Sequence, residues 1–128
     1  LLESLRDRFG KAFPMCGVLK GEAVMTQKLE RFGYLNLAAN QDNLLCRKGE
    51  SIRAHEFHYS DSTNNGTGFT ASKGHKSWAC IQAAGNLFAG YPHLHWGGNV
   101  NFAINFISKC YEFKIHKRCK NGSIGNNG

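Results

Sequence analysis

The sequence predicts a single α/β domain that is rich in short β-strands and closes with a helix. Its length of 128 residues suits one domain. Short apolar or alternating runs recur between Gly, Pro and Asn turn residues, which is the pattern of strands. Near the end, apolar residues recur at helical spacing behind a capping Asn99, and this predicts a final helix containing Phe102, Phe106, Cys110 and Phe113.

The remaining elements follow from local pattern. We predict that residues 1–9 are the end of a helix, because Leu1, Leu2 and Leu5 share a face and Gly10 stands where a C-cap is expected. Strands are predicted over 14–19, 22–26, 31–39, 51–60, 76–83 and 86–93, and turn-rich loops over 40–43, 47–50 and 61–68. The folded domain is predicted to be 1–113, followed by a disordered tail over 114–128, basic at first and then Gly/Asn-rich.

Composition excludes several classes of protein. Nine Phe, four Tyr and two Trp supply a core that disordered chains lack. No apolar run approaches the ~20 residues of a membrane-spanning helix. The net charge is +7, and its basic residues concentrate after residue 108 without a nucleic-acid recognition motif, so we expect neither a membrane nor a nucleic-acid partner. Five widely spaced cysteines without a CxxC pair indicate reduced thiols in a cytoplasmic protein.

The segment RAHEFHYS, residues 53–60, carries the first candidate chemistry. A strand period places Glu56 and His58 on one face, and His55, Phe57 and Tyr59 on the other. Burial of Glu and His side chains is costly unless they are paired or functional. A solvated face for Glu56 and His58 is the plain alternative, and the apolar residues opposite give the strand a second side to pack.

The segment GYPHLHWGGN, residues 90–99, carries the second group of candidate functional residues. His93 and His95 share a face if the strand continues, and three interpretations stay open. The histidines could hydrogen-bond nearby backbone, act as a general base at a strand end, or supply two ligands to a metal. No third ligand stands at a motif spacing, so a non-enzymatic metal-binding domain that uses His55, His58, His93 and His95 is the distant alternative.

Three segments in the same order, GVLKGEAVMTQKLERFGYLNL, RAHEFHYSDS and NLFAGYPHLHWGGN, resemble the glutaminase domains of the cobyrinic acid a,c-diamide synthase family. These are class I-like glutamine amidotransferases. The resemblance implies that this chain is the strand-rich C-terminal part of a flavodoxin-like mixed sheet. It also implies a ligase of cobalamin biosynthesis: a Cys thiolate hydrolyses glutamine, and the ammonia amidates corrin carboxylates at a site that uses ATP and magnesium.

The same resemblance assigns roles. His93 matches the base that activates the Cys, with His95 in reserve, and Glu56, His58 and Tyr59 match a strand that lines the glutamine pocket. Residues 1–5 resemble the helix after the Cys-Gly-Gly elbow, so the nucleophile is expected before residue 1. Cys16 is expected to be a buried strand thiol.

No GxxxxGK[ST] loop is present in the sequence, so the chain is expected to hold no cofactor itself. ATP, Mg²⁺ and the corrinoid are expected on an upstream domain, and this part alone is expected to be inactive. Self-association through an exposed sheet edge is also expected. Cobyric acid synthase, or another tetrapyrrole amidotransferase, is the alternative parent.

Overall fold

The structure, a computed structural model, describes residues 1–122, with side chains described for residues 1–117. Within this range eleven strands precede one long helix. The strands are β1 (Leu2–Arg6), β2 (Ala12–Pro14), β3 (Leu19–Met25), β4 (Arg31–Ala39), β5 (Ser51–His58), β6 (Ser60–Ser62), β7 (Phe69–Lys73), β8 (Lys76–Cys80), β9 (Gln82–Ala84), β10 (Leu87–Ala89) and β11 (His93–Leu94). A 3-10 turn, Trp96–Gly98, leads into α1 (Val100–Gly122). The predicted strand-rich α/β class is confirmed.

The larger sheet is antiparallel, with the strand order β11-β5-β4-β7-β8. Its two faces differ in burial because side chains alternate along each strand. We call the buried side the inner face; on β4 and β5 it carries Leu35, Leu37, Ile52, Ala54 and Glu56. We call the other side the outer face; on the same strands it carries Phe32, Tyr34, Arg53, His55 and Phe57.

The hydrophobic core lies between the inner face and the first turns of α1. Phe102 is fully buried there and packs against Phe69, with ring centroids 6.5 Å apart. Asn99 caps the helix, since its Oδ1 accepts a hydrogen bond of 3.2 Å from the Asn101 N–H. The Asn105 side chain donates to the Leu45 carbonyl at 2.7 Å. The predicted final helix and its cap are therefore confirmed.

A second, smaller sheet of four strands is mixed, as predicted, with the order β2-β1-β3-β6, and β9 and β10 form a separate antiparallel pair. β1 is antiparallel to β2 and parallel to β3. The prediction of a helix over residues 1–9 is wrong, because β1 is fixed by contacts distant in sequence. Glu22 on β3 accepts hydrogen bonds of 3.0 Å from both Ser4 and Arg6. Gly10 adopts a positive φ of 86° in the turn to β2 and caps no helix.

Two other segments differ from the sequence prediction. The predicted strand 14–19 is interrupted between β2 and β3, so Cys16 is exposed in a loop and is not a buried strand thiol. The helix α1 continues to Gly122, so residues 114–122 of the predicted tail are helical, and the domain boundary at residue 113 stays a prediction. The rest of the predicted disordered tail, 123–128, lies outside the described residues. No helix within residues 1–122 is long and apolar enough to cross a membrane.

Candidate active site

The two histidine-bearing segments are neighbours in the structure. β11 pairs with β5 in antiparallel register, which places His93 opposite His55 and Leu94 opposite Ala54. One residue further, the His95 N–H donates a hydrogen bond of 2.8 Å to the carbonyl of Arg53. Because β11 is an edge strand, one side of its backbone has no strand partner among the described residues.

Three histidines, which we call the outer histidines, lie on the outer face: His55, His93 and His95. His93 is exposed, and its ring centroid lies 6.4 Å from that of His55. No side chain of residues 1–117 hydrogen-bonds the rings of His93 or His95. The His95 ring lies against the following turn, since a Cβ built at Gly98 would stand 3.4 Å from its Nδ1, an ordinary van der Waals contact.

A second group, which we call the inner cluster, lies on the opposite side of β5: Glu56, His58, Ser60 and Tyr91. Glu56 is 1% exposed, and its Oε1 lies 3.9 Å from the Nε2 of His58. The Nδ1 of His58 lies 2.6 Å from the Ser60 carbonyl, so this nitrogen must carry the hydrogen. The predicted strand period is confirmed, and the alternative of a solvated face is wrong.

Tyr91 completes the inner cluster through two contacts. Its ring stacks on the His58 imidazole, with centroids 4.0 Å apart and planes within 13° of parallel. Its hydroxyl accepts a hydrogen bond of 3.1 Å from the Ser60 Oγ. Sequence reasoning did not single out Tyr91 or Ser60. The sequence offered one indication of Tyr91, which is that it lies two residues before His93 in a Tyr-Pro-His segment.

The Glu56 carboxyl is in an unfavourable environment for a charge. Burial raises its pKa, and this effect exceeds the opposing attraction of Arg31 and His58. Neither carboxyl oxygen has a hydrogen-bond partner among the described residues, and the same is true of the Trp78 indole N–H. Arg31 stacks over the Trp78 ring at 4.8 Å, beside a cavity of about 650 Å³ that Glu56 also lines.

The five residues predicted from the sequence as site residues lie on two different faces of the sheet. His93 and His95 lie on the outer face, whereas Glu56 and His58 lie on the inner face. Tyr59 is partly exposed and its ring packs edge-on against the outer residue Phe57, with centroids 5.8 Å apart. These residues therefore do not line a single pocket. They form two groups that share β5.

No cysteine among the described side chains pairs with a histidine. Cys80 is buried in the core, and burial raises its pKa to about 12. Cys46 is also buried, with its pKa raised by burial, and it contacts Asn43. Cys16 is exposed in the loop between β2 and β3, and Cys110 is exposed on α1. Neither of these sulfur atoms forms a hydrogen bond with a histidine side chain among residues 1–117.

The metal-binding alternative has no ligand set in the structure. Within the described part of the chain, no group of three or more His, Cys, Asp or Glu side chains could hold a metal ion. The four histidines that this alternative requires are divided by the sheet. His58 is on the inner face, and the outer histidines are on the other.

Comparison with known proteins identifies the class to which this fold and these histidine segments belong. Residues 1–100 match the family model of the CobB/CobQ-like glutamine amidotransferase domain. The chain belongs to this family, as the sequence resemblance predicted. No solved structure matches it at a significant level.

Similar curated proteins carry the name cobyrinate a,c-diamide synthase. The protein from Caldanaerobacter subterraneus subsp. tengcongensis is 33% identical over 117 residues, which cover 88% of this chain and 26% of that protein. The protein from Dehalococcoides mccartyi is 35% identical over 120 residues, with the same coverage of each. That from Fusobacterium nucleatum subsp. nucleatum is 38% identical over 102 residues, covering 73% and 21%. This chain spans about a quarter of the length of the first two relatives.

Proposed function

We propose that this chain is the base-supplying part of the glutaminase domain of a cobyrinate a,c-diamide synthase. The single observation that supports it is the position of His93 on edge strand β11, exposed and without a hydrogen-bond partner among the described side chains. Such an imidazole is free to accept a proton from a thiol brought to the outer face. The names of the relatives favour this synthase over cobyric acid synthase.

The proposed reaction is Cys–His acyl transfer to water. His93 takes the thiol proton, and the thiolate attacks the side-chain carboxamide carbon of glutamine. As the C–N bond breaks, the imidazolium of His93 returns the proton and ammonia leaves. Water, deprotonated by the same imidazole, then hydrolyses the thioester to glutamate and regenerates the thiol. His95 is the reserve base.

The nucleophile is proposed to belong to a segment that precedes Leu1. Its sulfur must come within about 2.6–3.2 Å of an imidazole nitrogen. The open outer face around His55 and His93 leaves room for it. Cys80 and Cys46 are unsuitable because they are buried with raised pKa values. Cys16, in the loop between β2 and β3, and Cys110, on α1, are exposed but form no hydrogen bond with His93. On this proposal the chain alone hydrolyses no glutamine.

The other parts of the reaction are proposed to lie outside this chain. The sequence contains no GxxxxGK[ST] loop, so ATP and Mg²⁺ are assigned to another part of the parent, together with the corrinoid whose carboxylates receive the ammonia. Glutamine contacts are assigned to Tyr59, which lies on the same face as His93. Glu56 and His58, on the opposite face, are assigned a supporting role. We place the parent in the cytoplasm, and expect separated chains to associate through the edges β8 and β11.

The test is glutamate release from glutamine by the full-length synthase that contains this domain. We expect His93→Ala to lower kcat about 10²- to 10⁴-fold, the usual contribution of a positioned acid–base group. His95→Ala is the matched control, two residues away on the same strand end, and should retain most activity. The opposite pattern would assign the base to His95. Full activity in both variants would overturn the proposal.

A further inference from the structure

β11 is too short to determine its own register. It contains two residues, His93 and Leu94, and beyond them only the hydrogen bond from the His95 N–H to the Arg53 carbonyl continues the pairing with β5. A slip of one residue would turn His93 from the outer face to the inner face, because side chains alternate along a strand. An interaction outside β11 must therefore hold it in place.

Tyr91 provides such an interaction on the amino-terminal side of β11. The imidazole of His58 holds its ring, and Ser60 holds its hydroxyl. Only Pro92 separates Tyr91 from His93, and this proline is buried and has a fixed φ. The position of Tyr91 is therefore transmitted to His93 through a stiff connection of one residue.

His58 is itself fixed by its neighbours. Its Nδ1 donates to the Ser60 carbonyl at 2.6 Å, which sets the plane of the ring. Its Nε2 points toward Glu56 at 3.9 Å from Oε1, and the side chain of His58 is only 9% exposed. Since Glu56 is 1% exposed in the packed inner face, its carboxyl has little freedom to move away.

We propose that the inner cluster, Glu56, His58, Ser60 and Tyr91, is a positioning device that clamps β11 in the register presenting His93 on the outer face. Its four residues are positioning residues, since they lie across the sheet from the proposed chemistry. The description of His93 as the base rests on the proposed function. The clamping of β11 does not.

The test uses the 128-residue chain and nuclear magnetic resonance. Two readouts report the register: hydrogen exchange of the His95 N–H, which donates to Arg53, and the proton contacts between the rings of His93 and His55. Amides of the β4–β5 pairing report global stability in the same sample. We expect Tyr91→Leu to weaken protection of the His95 amide about tenfold relative to those amides, and to abolish the contacts between the rings.

Conservative variants separate the clamp from general packing. Tyr91→Phe keeps the stack on His58 and should retain the ring contacts, while loss of the hydroxyl hydrogen bond should lower protection of the His95 amide about two- to threefold. Ser60→Ala removes only the hydroxyl hydrogen bond and should give the same small change. Tyr59→Leu is the matched control, because the Tyr59 ring packs on Phe57 on the outer face, away from the inner cluster. This variant should leave both readouts unchanged.

Each outcome bears on the clamp. Unchanged readouts in Tyr91→Leu, or equal loss in Tyr59→Leu, would overturn it. If Tyr91→Leu unfolds the whole chain, Tyr91→Phe and Ser60→Ala decide, and an unchanged His95 amide in both overturns the clamp. The readouts use no catalysis, so the result is distinct from that of the proposed function. Loss of register in Tyr91→Leu together with an active His93→Ala synthase would refute the base and keep the clamp.

Discussion

Replacing Phe102 with alanine tests whether α1 is held by one side chain. Phe102 is 0% exposed and packs against Phe69, whereas Phe106 and Phe113 further along the helix are 42% and 60% exposed. Truncation of a fully buried phenylalanine costs about 3–5 kcal/mol, because the transfer free energy is lost and a cavity remains. Domains of this size have about 5–15 kcal/mol of stability in total, so the loss is a large fraction of it.

Urea unfolding followed by circular dichroism measures this cost. We expect Phe102→Ala to lower the free energy of unfolding by about 3–5 kcal/mol without changing the slope, and to lower Tm by about 10 °C or more. Phe113→Ala is the matched control on the same helix and should change stability by less than about 0.5 kcal/mol. A loss below about 1 kcal/mol for Phe102→Ala, or equal losses in both variants, would refute the argument that the first turns of α1 belong to the core.

Three further predictions concern a buried acid, a glycine and two thiols. Because burial raises the pKa of Glu56, the folded chain binds more protons than the unfolded chain between the ordinary and the raised pKa. The free energy of unfolding should therefore fall as pH rises through that window. Above the window, the Glu56→Gln variant should become more stable relative to the wild type in urea unfolding. Parallel plots of stability against pH for the two proteins would contradict this. Gly66→Ala should destabilise the folded chain by about 1–3 kcal/mol more than Gly74→Ala. Both glycines have a positive φ, but only a Cβ at Gly66 would clash with neighbouring backbone. Equal decreases in Tm for the two variants would count against that clash. Iodoacetamide at pH 8 should label the exposed Cys16 in the folded chain. It should label Cys80 only after unfolding, because this thiol is 2% exposed and its pKa is raised to about 12. Mass spectrometry measures both reactions, and modification of native Cys80 at the rate of Cys16 would argue against its burial.

The strand period was sufficient to predict which residues of β5 share a face. A period of two separates Glu56 and His58 from His55 and Phe57, although polar and apolar residues alternate only over residues 51–55. The cap at Asn99 is equally local and was also predicted. The two histidine segments could be recognised as candidate site residues for the same reason: each lies within a run of about ten residues.

Pairings between distant residues could not be predicted in this way. The spacing of Leu1, Leu2 and Leu5 fits a helical face, but β1 is a strand because β3 supplies its hydrogen bonds and Glu22 its polar partners. The division of the site by the sheet has the same origin. Only the register of β11 on β5 shows that His93 and Glu56 lie on opposite faces. A local pattern carries no information about such registers.

The segment that carries His93 is attached to β5 and its continuation at three points. Tyr91 is held by Ser60, the His95 N–H donates to the Arg53 carbonyl, and Asn99 donates to the Ser51 carbonyl at 3.0 Å. If His93 is the base, as proposed, its imidazole must be held to within about 0.5 Å of its productive position, which a free edge strand of two residues does not achieve. The burial of the Glu56 carboxyl without a hydrogen-bond partner among the described residues costs stability, and in the proposed clamp this carboxyl supports the first of these attachments through His58, 3.9 Å away. Local stability is thus given up where the position of one side chain has to be maintained.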